Sequence, residues 1–84
     1  MSFDVRLSKL AERNLAKIPR RDGERIRTAL RILEHDPYPP AARKLVNVEA
    51  WRIRIGNYRI IYDVREQELL VLVITIGHRK DVYR

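Results

Sequence analysis

The segment WRIRIGNYRIIY, Trp51 to Tyr62, constrains the fold more than any other part of the chain. Apolar and basic residues alternate on both sides of Gly56-Asn57, and strict alternation has the two-residue period of a half-buried strand. Glycine and asparagine both tolerate positive φ, so the pair is a favoured two-residue hairpin loop. With that loop, Ile55 pairs with Tyr58, Arg54 with Arg59, Ile53 with Ile60, Arg52 with Ile61 and Trp51 with Tyr62. One face of the hairpin then holds Trp51, Ile53, Ile55, Tyr58, Ile60 and Tyr62. The other holds Arg52, Arg54, Arg59 and Ile61. So apolar a face must be covered by another layer.

The N-terminal half supplies that layer. SFDVRL alternates Phe3, Val5 and Leu7 with Asp4 and Arg6, the pattern of a short strand. Ser8 is positioned to cap a helix over KLAERNLAKI, with Leu7, Leu10, Ala11, Leu15 and Ile18 along one side. Pro19 ends it. A second helical period carries Ile26, Ala29, Leu30 and Leu33 on one face, with Asp22 as the expected cap, and Pro37, Pro39 and Pro40 enforce the stop. A short extended piece is expected around Lys44 to Val46. After the hairpin, EQE (Glu66 to Glu68) makes a turn into LLVLVITI, an apolar run expected to be a central strand covered on both faces. The turn can be counted two ways, which leaves two registers for this strand against the Arg59 strand. The expected order is β-αα-β-β-β. It forms one α+β domain spanning 1–84, with an N-terminal strand and an αα-hairpin on a mostly antiparallel sheet of four to five strands.

Charge narrows the function. The chain of 84 residues carries a net charge of +7, which points to an acidic partner. Of its 18 basic residues, 14 are arginine, whose planar fork suits phosphate and carboxylate. Arg54 directly opposite Arg59 disfavours strand pairing by up to ~1 kcal/mol. The arginines either splay into water towards acids such as Glu49 or Glu68, or form a phosphate cradle on a rigid sheet. The C-terminal TIGHRKDVYR adds His78, Arg79 and Lys80 after the last strand, expected at the rim of the same patch, with Tyr83 available to stack on a base. His78 is the candidate proton-transfer group, since histidine titrates near neutrality. His35 is assigned to its helix C-terminus, and Trp51 and Tyr62 to the core. Without cysteine there is no disulfide framework and no thiolate chemistry. MSFDVRLSK has no apolar run after its charges, and the longest apolar run is far short of the ~20 residues that span a bilayer. A cytoplasmic protein with no membrane partner is expected.

The element order, the basic balance, KLVNVEAWRIRIGNYRIIYDV and the closing GHRKDVYR together resemble the RelE/ParE toxin superfamily, specifically its RelE-type ribosome-dependent mRNA endonucleases. The resemblance covers nearly the whole chain. It implies a metal-independent endoribonuclease that cuts mRNA in the ribosomal A site by 2′-hydroxyl attack, without a cofactor. Its partners would be a cognate antitoxin, forming a toxin–antitoxin hetero-oligomer, and the ribosome with its mRNA. Residue by residue, Arg52, Arg54 and Arg59 fall where the family contacts the cut phosphate, and Arg79 and Tyr83 match the C-terminal motif. RelE-type members often carry lysine where this chain has Arg52 and Arg54. Arginine is hardly ever deprotonated in a protein, so an acid–base role at these two positions is weakened while phosphate binding is untouched. The other readings are a ParE-like gyrase inhibitor, a non-catalytic RNA- or ribosome-binding module, and an inactive toxin kept for antitoxin binding.

Overall fold

The computed structural model describes residues 2–78. Strand β1 (Asp4–Leu7) leads into helix α1 (Lys9–Lys17) and helix α2 (Arg20–His35). Strands β2 (Arg43–Lys44), β3 (Trp51–Ile55), β4 (Tyr58–Arg65) and β5 (Leu70–His78) follow, with a 3₁₀ turn at Glu66–Glu68. The five strands form one sheet in the order β1-β5-β4-β3-β2. β1 runs parallel to β5, and the other neighbours are antiparallel. The expected architecture is present, with the N-terminal strand completing the sheet at its edge.

The hairpin has the expected register, from Ile55 opposite Tyr58 to Trp51 opposite Tyr62. Gly56 takes φ 59 while Asn57 stays out of the left-handed region, so only the first loop position needs glycine. The apolar face packs beneath the helices around Ile53, Ile60 and Tyr62. Ile26 and Leu33 of α2 meet Val71 and Val73 of β5 in the same core, all fully buried. Each such side chain contributes about 1.5–3 kcal/mol on burial. Tyr62 is fully buried and its hydroxyl donates to the Pro37 carbonyl at 2.8 Å, tying β4 to the chain after α2.

Helix α1 begins as expected, with the Ser8 Oγ accepting from the Ala11 N–H at 3.0 Å. Its inward stripe is narrower than expected, because Leu10 is 48% exposed. Helix α2 departs at its start: Pro19, not Asp22, occupies the N-cap, and the helix begins at Arg20. Proline's fixed φ and extended ψ already set the turn into the helix, which leaves Asp22 in the first turn where the helix dipole favours an acid. The extended piece expected at Lys44 to Val46 is shorter and lies at Arg43–Lys44, with Val46 in a loop.

β5 is the main correction. It was expected to be covered on both faces, but the helices cover one, and Ile74 is 37% exposed. The pairing with β4 shifts by one residue between Ile61 and Tyr62: Tyr62 faces Val73, and Ile61 faces Thr75. Ile74 is the extra residue of a β-bulge. The bulge lies just past the end of β1, where β5 loses its parallel partner. Side chains take over there. Ser8 Oγ donates to the Ile74 carbonyl at 2.7 Å, and Asn14 Oδ1 accepts from both the Thr75 hydroxyl and the Ile76 N–H at 3.1 Å.

Candidate functional site

Alternation along β3 and β4 puts Arg52, Arg54 and Arg59 on the sheet face away from the helices. Their degrees of exposure differ: Arg54 is exposed, Arg52 is half-buried, and Arg59 is only 5% exposed. The opposed pair therefore does not splay symmetrically into water. Arg59 is held against the sheet and Arg54 stands above it. The strand position beside Arg59 on β5 is Gly77, which brings no side chain to compete for that space. Two of the neighbouring acids have basic partners of their own, with Glu49 3.6 Å from Lys44 and Asp63 3.2 Å from Arg65.

His78 does not join them. It pairs with Tyr58, whose side chain packs against the helix-side core, and the two rings meet edge to face at 5.7 Å. His78 thus lines a cleft of about 420 Å³ with Asn14, Lys17, Ile18 and Tyr58, on the opposite side of the sheet from the arginines. The expectation of His78 at the rim of the arginine patch is corrected by the bulge, which reverses the facing of every residue after it. Arg79 and Tyr83 lie outside the described residues, so their placement stays an expectation.

Residues 5–83 match the model of the ParE toxin family of type II toxin–antitoxin systems, parDE. This chain belongs to that family. Within the wider RelE/ParE toxin superfamily, Toxin RelG of Mycobacterium tuberculosis is 30% identical to it, over 100% of this chain and 99% of the relative. The toxin fold superposes on the archaeal RelE–RelB complex of Pyrococcus horikoshii with a TM-score of 0.85 and 25% identity, covering 98% of this chain and 100% of that one. The isolated RelE toxin of E. coli shares the fold at a TM-score of 0.80 and 24% identity, over 99% and 92% of the two chains.

For a toxin of this fold, the arginine face is a rigid cationic platform set on paired strands. Its donors suit an anion with several oxygens, which guanidinium groups engage through paired hydrogen bonds. Reading the sequence missed two parts of its surroundings. Asn14, which braces the end of β5, had a sequence signal: it is a polar residue three positions after Ala11 on the stripe that faces inward. The loop after β2, where Val46 and Val48 stand exposed beside Arg52, had none beyond an apolar residue on either side of Asn47.

Proposed function

We propose that this toxin is a metal-independent endoribonuclease that cuts mRNA on the ribosome, with Arg52, Arg54 and Arg59 holding the scissile phosphate. The observation that supports it best is the placement of three guanidinium groups on one face of the β3–β4 hairpin, two of them in direct cross-strand register. The 2′-oxygen attacks phosphorus in line, a 2′-O–P bond forms and the 5′-O–P bond breaks. Negative charge gathers on the non-bridging oxygens as it does so, and fixed guanidinium groups stabilise that charge without reorganising. The 2′-hydroxyl proton passes to a base, and an acid protonates the departing 5′-oxygen. Three arginines cannot carry those protons. Because His78 faces the helix side, the proton-carrying role falls to the C-terminal motif, with Tyr83 as its candidate and Arg79 as a further phosphate or leaving-group contact.

The solved relatives of this fold include RelE–RelB complexes from P. horikoshii and E. coli, which supports a cognate antitoxin for this chain in a toxin–antitoxin hetero-oligomer. Ribosome and mRNA are the remaining partners. No helix among the described residues is long and apolar enough to cross a membrane; the site of action proposed with the ribosome is the cytoplasm.

Inducing the chain in bacteria and mapping transcript 5′ ends tests the proposal. Codon-positioned cuts in translated messages are expected. Arg54→Ala, at an exposed position, should slow cutting about 10²–10³-fold and relieve growth arrest while the protein stays folded. Undiminished cutting by that variant overturns the site. The ParE description of the matching family favours a second reading, inhibition of DNA gyrase, which predicts gyrase-linked double-strand breaks and intact messages in the same cells.

A further inference from the structure

Beside the arginine face lies a groove of about 590 Å³, between the loop after β2 and the outer face of β3 and β4. Leu45, Val46, Val48 and Ile61 line it with apolar surface, and Lys44 and Arg52 add positive charge. We propose that this groove receives a nucleobase of the RNA whose phosphate lies on Arg52, Arg54 and Arg59, with Arg52 at the boundary between the two. The proposal rests on the RNA-binding reading above and assigns that site a base-holding half.

The loop is built to present its valines. Val46 is 82% exposed and Val48 55% exposed. Asn47 between them sits in the left-handed region at φ 64, which asparagine tolerates better than most residues. The Leu45 N–H donates to the Ala50 carbonyl at 2.9 Å, the Ala50 N–H donates to the Val48 carbonyl at 2.8 Å, and Lys44 reaches Glu49 across the loop. Two β-branched side chains are thereby held towards water by a stapled turn, beside Ile61, which is only 8% exposed although it faces away from the helices. Burial alone would turn such valines inward. An apolar patch rimmed by polar groups is instead what a binding surface looks like.

Charge and spacing select the occupant. An apolar floor with a cationic edge fits a flat, uncharged ring joined to a phosphodiester, and stacking or apolar contact with a base tolerates every base identity. Arg52 lines the groove, and Arg54 follows two residues along the same strand, ~6.6 Å away. One sugar separates a phosphate from its own base over a comparable distance. A protein side chain would fill the apolar floor equally well, but it has no use for a neighbouring phosphate site at that interval.

The full chain, made by cell-free synthesis and labelled at arginine Nε and isoleucine methyl groups, is titrated in the NMR spectrometer with ribose 5-phosphate, AMP and N-acetyl-leucinamide. Ribose 5-phosphate should move the arginine signals alone. AMP should move those signals and the Ile61 methyl with one common midpoint. Val46→Ser/Val48→Ser should weaken AMP at least about 5-fold, leave ribose 5-phosphate unchanged, and leave the unfolding midpoint unchanged because both positions are exposed. An Ile61 methyl silent to AMP while the arginines respond overturns the base-holding groove and spares the phosphate site. If N-acetyl-leucinamide moves Ile61 as strongly as AMP does, the groove docks protein and the proposal fails. Arginine signals deaf to both phosphates overturn the phosphate site, and the groove's assignment with it.

Discussion

Replacing Asn14 with alanine removes a single oxygen that accepts from two donors, the Thr75 hydroxyl and the Ile76 N–H, both at 3.1 Å. β1 ends at Leu7, so β5 has no strand to pair with on this side, and Asn14 stands in for one. Each of the two hydrogen bonds contributes about 0.5–1.5 kcal/mol net. Alanine regains about 0.5–0.7 kcal/mol of helix propensity within α1. The expected net loss is therefore about 0.3–2.5 kcal/mol, centred on ~1.4 kcal/mol, which lowers the melting temperature of a domain this small by about 4–8 °C for each kcal/mol. Urea unfolding measures the loss, and hydrogen exchange at the Ile76 amide locates it. Asn14→Asp keeps the acceptor, so it should stay within about 0.5 kcal/mol of the parent and retain slow exchange at Ile76. An alanine variant as stable as the parent, with Ile76 exchange unchanged, refutes the idea that a side chain substitutes for the missing strand.

Gly56→Ala should cost about 1–2 kcal/mol in the same unfolding assay, since alanine at φ 59 is strained and its Cβ would come within 3.2 Å of the Arg25 guanidinium. An unchanged midpoint would show that the hairpin loop relaxes freely. Burial, and then the charge of Asp36 and the proximity of Tyr38, push the Tyr62 hydroxyl up to about 12 from its ordinary 10.0. Below pH 10 the phenol is protonated in the folded and unfolded chains alike, and the full stability is present. Between pH 10 and 12 the unfolded chain ionises first, so stability should fall by about 2–3 kcal/mol. Tyr62→Phe abolishes that contribution, and identical alkaline profiles for parent and variant would contradict it.

The hairpin was legible because everything that determines it is local. Period-two alternation, a glycine at the first loop position and matched apolar residues on both strands settle its register and its inward face without reference to the rest of the chain. The helices were legible from their stripes, and Ser8 from its capping chemistry. Leu10 was misjudged because a stripe shows direction but not how far the neighbouring layer extends. The bulge at Ile74 was out of reach, since LLVLVITI is apolar at every position and carries no parity signal. What makes room for an extra residue is the end of β1 and the side chains of Ser8 and Asn14 that cap the strand there, partners more than 60 positions away in sequence. His78 was placed wrongly for that reason alone. Of the candidate site, the three arginines followed from alternation. Their unequal burial depends on which residue of β5 lies alongside Arg59, and that depends on the bulge.

One extra residue works like a frameshift within the sheet. Continuing the ladder from Tyr62–Val73 without Ile74's offset would set Ile76 against Arg59 and Gly77 against Tyr58. The guanidinium would then have to share its place with a branched hydrocarbon, and the gap left by glycine would open under the helices, where nothing cationic needs it. Keeping every residue but losing the bulge would thus mispair the last third of the strand without touching any arginine, whereas losing the Ile74 codon itself would leave Gly77 beside Arg59 in a regular ladder. Relatives that pair this residue in the ladder instead of bulging it should differ in which side chain they set beside the position of Arg59.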